Sequence, residues 1–255
     1  IGTLETMQTY QTTLGRLQCV VVDTVTDQAA PESAPESAKL LSVVLCHGFG
    51  ASGTDLVGLA PELCQLAPEL VGHTRFLFPA APLPLDEVGM PGGRAWWHLD
   101  LEAFNHAINT GTFRDQTTIT PDGLEHASQL LGELVQDIQS EWQTGPERIV
   151  LGGFSQGSML ATNVALSLPQ PPAALLIWSG TLLCQDNWRQ KAQARGPLRV
   201  FQSHGTLDPI LPFDAAESLR DLLAESQLDV DFLEFSGQHA IPQEAVSRTA
   251  TLLAE

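Results

Sequence analysis

Arg148-Ile-Val-Leu-Gly-Gly-Phe-Ser-Gln-Gly-Ser158 decides how this chain is read. Ile149, Val150, Leu151, two glycines and Phe154 read as a buried strand, and Met159-Leu-Ala-Thr-Asn-Val-Ala-Leu166 continues with good helix formers. The pentad Gly153-Phe-Ser-Gln-Gly157 is therefore a G-x-S-x-G between a strand and a helix, the setting this motif needs to be a nucleophile elbow. Glycines on both flanks let the backbone close tightly and lift the Ser155 hydroxyl above the sheet. The N–H of Gln156 opens the following helix, where a free donor and the helix dipole would meet an oxyanion. An ordinary Gly/Ser turn is the bland alternative, and the strand–helix context weighs against it.

With 255 residues the chain suits one large α/β domain or two small ones, and 43% hydrophobic residues can bury a sizeable core. Its 30 acidic and 12 basic residues give a net charge of −18. That balance disfavours nucleic acid, whose phosphates need a basic face, and anionic membrane surfaces for the same reason. Cys19, Cys46, Cys64 and Cys184 are dispersed, mostly in apolar runs, which indicates neither a disulfide framework nor a zinc site. No signal-peptide pattern and no apolar run near 18 residues is present, so stable membrane insertion is not expected and a reducing, cytoplasmic location is.

Strands are expected at Gly15–Asp23, Leu40–Cys46, Arg75–Phe78, through Phe154, at Ala173–Trp178, Leu198–Ser203 and Val230–Phe235. Helices are expected at Leu56–Leu70, from Thr120-Pro121 to about Trp142, after Ser155, at Phe213–Ser226 and from Gln243 to Leu253. Residues 27–39, rich in Pro, Ala, Glu and Ser, suit a flexible surface connection. Residues 80–120 form a long irregular insertion whose aromatic content suits a lid or pocket wall. Alternating strands and helices without repeats predict one doubly wound α/β domain, with a mostly parallel central sheet and helices on both faces.

In such sheets the chemistry gathers beyond the C-terminal strand ends. A serine nucleophile needs a base, and the base needs a carboxylate to fix its tautomer; the chain order is Ser, acid, His. Only His204 and His239 follow the elbow, and His204 precedes Asp208, so His239 is the base that fits. Asp208, in a turn between Gly205 and Pro209, is preferred as the acid over Asp186. A second oxyanion donor should come from the early His47-Gly-Phe-Gly50 loop, with the N–H of Phe49 joining that of Gln156; losing such a donor costs about 3–4 kcal/mol. His47 itself suits bracing that loop. Trp96, Trp97, Leu207 and Ile210 are candidates for an apolar substrate wall, with core packing the alternative for the tryptophans. Without H-E-x-x-H or G-x-x-x-x-G-K, neither metal nor cofactor is expected.

The strings His47-Gly-Phe-Gly-Ala-Ser-Gly-Thr-Asp55, Gly152-Gly-Phe-Ser-Gln-Gly157, Ser203-His-Gly-Thr-Leu-Asp-Pro-Ile-Leu-Pro212 and His239-Ala-Ile-Pro-Gln-Glu244 resemble the phospholipase/carboxylesterase family. That family includes acyl-protein thioesterases and small bacterial carboxylesterases. The resemblance implies an α/β-hydrolase fold, serine esterase activity, a triad at Ser155, Asp208 and His239, and an oxyanion hole at Phe49 and Gln156. Ser158 and Gln238 stand where that pattern often has glycine, which implies different packing behind the elbow. The expected activity is cleavage of a small-molecule or lipid carboxylic ester through an acyl-enzyme. The alternatives are an acyl-protein thioesterase, a lysophospholipase, or a binding module with a vestigial triad; oligomeric state stays open.

Overall fold

The structure, a computed structural model, describes residues 7–24, 40–100, 102, 106, 110 and 117–255. The ten strands among these residues are β1 (Gln8–Leu14), β2 (Leu17–Asp23), β3 (Leu41–Cys46), β4 (Thr74–Pro79), β5 (Leu83–Pro84), β6 (Arg94–Ala95), β7 (Ile149–Phe154), β8 (Ala174–Trp178), β9 (Arg199–Gly205) and β10 (Asp229–Phe235). Among the described residues, the α-helices with defined bounds are α1 (Leu59–Leu66), α2 (Leu124–Glu141), α3 (Gln156–Ser167), α4 (Gln185–Arg195), α5 (Phe213–Glu225) and α6 (Gln243–Ala254).

Eight strands form one sheet in the order β1-β2-β4-β3-β7-β8-β9-β10. Every pair from β4 to β10 is parallel, whereas β1–β2 and β2–β4 are antiparallel. The mostly parallel sheet with helices on both faces agrees with the expectation. Successive side chains of a strand point to opposite faces, so a sheet covered on both sides needs continuous apolar runs. Val43 and Leu45 thus join the layer built with α1 and α6, while Val44 and Cys46 join the layer with α2, α3, α4 and α5. Ile149 and Leu151 face the second layer and Val150 the first. β7 lies between β3 and β8, which puts the elbow at the middle of the sheet's C-terminal edge.

Several boundaries differ from the sequence expectation. The helix expected over Leu56–Leu70 is α1 followed by a 3₁₀ turn at Pro68–Leu70. Ala67, forced out of helical geometry before Pro68, sits at φ −131° and ψ 85°. The helix expected from Thr120-Pro121 starts instead at Leu124, because Gly123 takes a left-handed φ of 93°. β1 was not expected: Gln8–Leu14 is polar and buries only Leu14 fully. Its partner β2 holds it through a two-residue turn in which Gly15 takes φ 57°. The connection expected at 27–39 lies outside the described residues, as does most of the expected insertion beyond residue 100. Before it, residues 83–95 form a small two-stranded ribbon of β5 and β6.

Candidate active site

β7 ends at Phe154, and its neighbours hold the next residue in an uncommon backbone state. Ser155 has φ 53° and ψ −122°, a region that costs a non-glycine residue about 1–3 kcal/mol. Both sides of the kink are tied down. The Ser155 N–H donates to the carbonyl of Trp178 at 2.8 Å, and its own carbonyl accepts from the N–H groups of Ser158 and Met159 at 3.0 and 3.2 Å. The chain can turn this sharply because its flanks lack side chains. A Cβ at Gly153 would collide with the Cys46 carbonyl, and one at Gly157 with the carbonyls of Cys46 and His47. Ser158, standing where a glycine is common, donates its hydroxyl to the Ser155 carbonyl at 2.8 Å and fills the space a Cβ at Gly180 would need.

Gln156 is buried, and its side chain is fully committed. Oε1 accepts from the N–H of Trp96 at 2.9 Å, and Nε2 donates to the Trp97 carbonyl at 2.9 Å. What remains for chemistry is its backbone N–H, which as the first residue of α3 has no intrahelical acceptor. Across from it, His47 braces the early loop. Its Nε2 accepts from the Ala81 N–H at 3.1 Å, so the ring proton sits on Nδ1, 2.8 Å from the Gly48 carbonyl. Burial holds the His47 pKa below its usual value, against the opposing pull of the Gly48 carbonyl. The Trp96 indole N–H donates to the His47 carbonyl at 2.9 Å, and the Gly50 N–H to the Arg94 carbonyl at 2.9 Å. Arg94 also donates to the carbonyls of Ala81 and Pro82. The segment after β4 thereby clamps the loop that carries half-buried Phe49.

Asp208 lies just beyond β9. One oxygen, Oδ1, accepts from the N–H groups of Ile210 and Leu211 at 2.8 and 2.9 Å, and Oδ2 lies 2.7 Å from Nδ1 of His239. Burial alone would raise the Asp208 pKa, but the hydrogen bond and charge of His239 and the two backbone donors outweigh it, leaving the pKa below the usual carboxylate range. The loop after β10 presents His239 because it is gripped at three points: the Leu207 N–H donates to the Gly237 carbonyl, the Thr206 N–H to the Phe235 carbonyl, and the Ser179 hydroxyl to the Ala240 carbonyl. The imidazole lies beside the ring of Phe154, centroids 4.7 Å apart, and so next to the elbow. Among the described residues Ser155 Oγ itself has no hydrogen-bond partner, a looseness common in unliganded sites. Asp186, the other acid considered, is exposed in the first turn of α4.

The four residues considered for a substrate wall are separated. Trp96 and Trp97 are core residues, 1% and 2% exposed, with the Trp96 N–H and the Trp97 carbonyl satisfied by Gln156 and the Trp96 indole N–H by the His47 carbonyl. Leu207, 66% exposed, and partly buried Ile210 flank Asp208 on the rim. His204, set aside as a base on chain order, is fully buried with Nε2 3.3 Å from the same Asp208 oxygen, a proximity for which its place four residues ahead of Asp208 was the available signal.

The phospholipase/carboxylesterase family matches this chain over residues 30–255. Acyl-protein thioesterase 1 of Eremothecium gossypii is 29% identical over 177 residues, spanning 69% of each chain. The Mycosarcoma maydis protein of that name is 30% identical over 201 residues, spanning 73% of this chain and 78% of its own. Among solved structures, esterase PE8 superposes with a TM-score of 0.70 at 28% identity, covering 85% of this chain and 92% of that one. The Bacillus cereus carboxylesterase, at 16% identity and a TM-score of 0.61, shares the fold. With a family match over most of its length and this fold, the chain belongs to the phospholipase/carboxylesterase family and is a hydrolytic enzyme of the esterase kind.

Proposed function

We propose that the protein cleaves carboxylic esters through an acyl-enzyme on Ser155. The observation that carries this reading is the Asp208–His239 hydrogen bond of 2.7 Å, beside a serine held at φ 53° on the strand–helix junction. Asp208 can only accept, so Nδ1 of His239 bears the ring proton and Nε2 is left to take the proton of Ser155 Oγ as it attacks the acyl carbon. The N–H groups of Gln156 and Phe49 stabilise the tetrahedral oxyanion, the first reinforced by the α3 dipole. His239 then returns the proton to the leaving group and activates the water that frees the acid. Leu207 and Ile210 contact the acyl or alcohol part at the rim, with Trp96 and Trp97 supporting the oxyanion loop from behind.

The relatives' description as acyl-protein thioesterases favours a second substrate class, S-acylated protein, with the same groups acting on a thioester. No helix among the described residues is long and apolar enough to cross a membrane. Four buried, unbridged thiols suit a reducing, cytoplasmic compartment. Hydrolysis of p-nitrophenyl esters from acetate to palmitate, with Ser155→Ala as control, tests the reading. Ser155-dependent turnover of short chains supports a small-ester enzyme, and a long-chain optimum supports lipid or acylated-protein substrates. Turnover that survives in Ser155→Ala contradicts both.

A further inference from the structure

His204 ends β9 with a side chain sealed completely from solvent, yet one atom of it reaches the site. Its Nε2 lies 3.0 Å from the Leu211 carbonyl and 3.3 Å from Asp208 Oδ2. Both neighbours accept hydrogen bonds only, so Nε2 carries the proton of the neutral ring. The ring stays neutral because burial outweighs the opposing pull of the Leu211 carbonyl, Asp208 and the Gly180 backbone, and leaves its pKa below the usual value. Nδ1 is buried and makes no hydrogen bond of normal geometry, the Gly180 backbone acting on the ring more weakly than the Leu211 carbonyl. An unpartnered buried acceptor destabilises a fold, and phenylalanine would fill similar space without one. What histidine adds here is the Nε2–H.

We propose that His204 is a positioning residue for Asp208: its Nε2–H, hydrogen-bonded to the Leu211 carbonyl, lies 3.3 Å from Oδ2 and through that charge–dipole contact helps keep Oδ2 aimed at His239. This rests on reading Asp208 and His239 as the catalytic acid and base. Two backbone donors already saturate Oδ1, so the plane of the carboxylate is set by what holds Oδ2. Two rings meet there, His239 from the solvent side and His204 from the core. Asp208 and His239 are the titratable groups whose charge acts on His204, and its remaining ring neighbour is Phe213, centroids 6.1 Å apart. Without the Nε2–H, the negative charge of Oδ2 falls on His239 alone, and the His239 contact is the one left to orient that oxygen.

The test is the pH dependence of p-nitrophenyl ester hydrolysis by wild type, His204→Phe and His204→Gln, the Gln amide nitrogen lying near the place of Nε2. We expect His204→Phe to lower kcat about tenfold with KM within about twofold, and to move the acid limb of kcat/KM to higher pH. His204→Gln should recover most of the loss and restore the limb. A folded His204→Phe protein with the wild-type profile, a loss confined to KM, or a Gln variant no better than Phe would overturn the proposal. Should His204→Phe not fold, imidazole ¹⁵N spectra of the wild type decide. His204 must carry its neutral-ring proton on Nε2 and titrate below the ordinary histidine range, and a normal titration or an Nδ1–H tautomer overturns it. A wild type that neither hydrolyses the ester nor labels at Ser155 would instead overturn the underlying catalytic reading.

Discussion

Nδ1 of His239 lies 2.7 Å from Oδ2 of Asp208, a contact between residues 31 positions apart that joins the loops after β9 and β10. In the proposed mechanism its value is the tautomer it imposes. In Asp208→Asn the amide can present N–H₂ to Nδ1, which moves the ring proton to Nε2, where it blocks acceptance of the Ser155 proton. We expect kcat to fall about 10⁴-fold while the fold survives. Steady-state hydrolysis of p-nitrophenyl acetate alongside a thermal melt checks this.

In the proposed mechanism Gln156 does two jobs with two parts of one residue. Its side chain satisfies the Trp96 N–H and the Trp97 carbonyl, both buried. Gln156→Ala would orphan both groups and leave a void, so unfolding free energy should drop by about 2–5 kcal/mol. Urea midpoints of the variant and wild type provide the measurement.

Ser158 and Gly180 are sterically coupled. A Cβ on Gly180 would strike Ser158 Oγ and lie 2.9 Å from Cγ2 of Ile177. Gly180→Ala should cost about 1–3 kcal/mol. In a Ser158→Gly background the same change should cost less, with a coupling of at least about 0.5 kcal/mol in a double-mutant cycle. Strict additivity would remove this explanation for the serine beside the elbow.

Acid should destabilise the protein before it titrates carboxylates. His47 and His204 both have pKa values lowered by burial, so the unfolded chain binds protons that the folded chain refuses. Their contribution is full above the unfolded value of about 6.5. It is lost as pH falls towards the folded values, at up to about 1.4 kcal/mol per pH unit for each histidine. Asp208, whose folded pKa is also lowered, adds a second loss only below about pH 4. Urea unfolding at about pH 8 and about pH 5.5 should show the lower midpoint in acid; equal midpoints would contradict it.

What could be read in the sequence had a local cause. Gly153 and Gly157 are required by carbonyls pressed against them, and that requirement appears as a G-x-S-x-G between a strand and a helix. The pairing of Asp208 with His239 was legible because chain order left one histidine able to follow an acid at a strand end. β1 was hidden because Gln8–Leu14 is an edge strand with one fully buried side chain, so it shows no apolar alternation. Helix α4 was hidden likewise, since only Trp188 and Ala192 of its residues are buried. The hold of Gln156 on Trp96 and Trp97 spans about sixty positions and involves side chain against backbone, which no periodicity records. The aromatic pair therefore read as well as a pocket wall as it did as core.

The most direct test of Ser155 as nucleophile is mass spectrometry of the wild type and Ser155→Ala after exposure to a fluorophosphonate probe. The predicted result is one adduct on the wild type, mapped to the peptide containing Ser155, and none on the variant. A wild type that takes up no probe, or one labelled at another residue and still labelled in Ser155→Ala, would contradict the assignment of Ser155 as nucleophile.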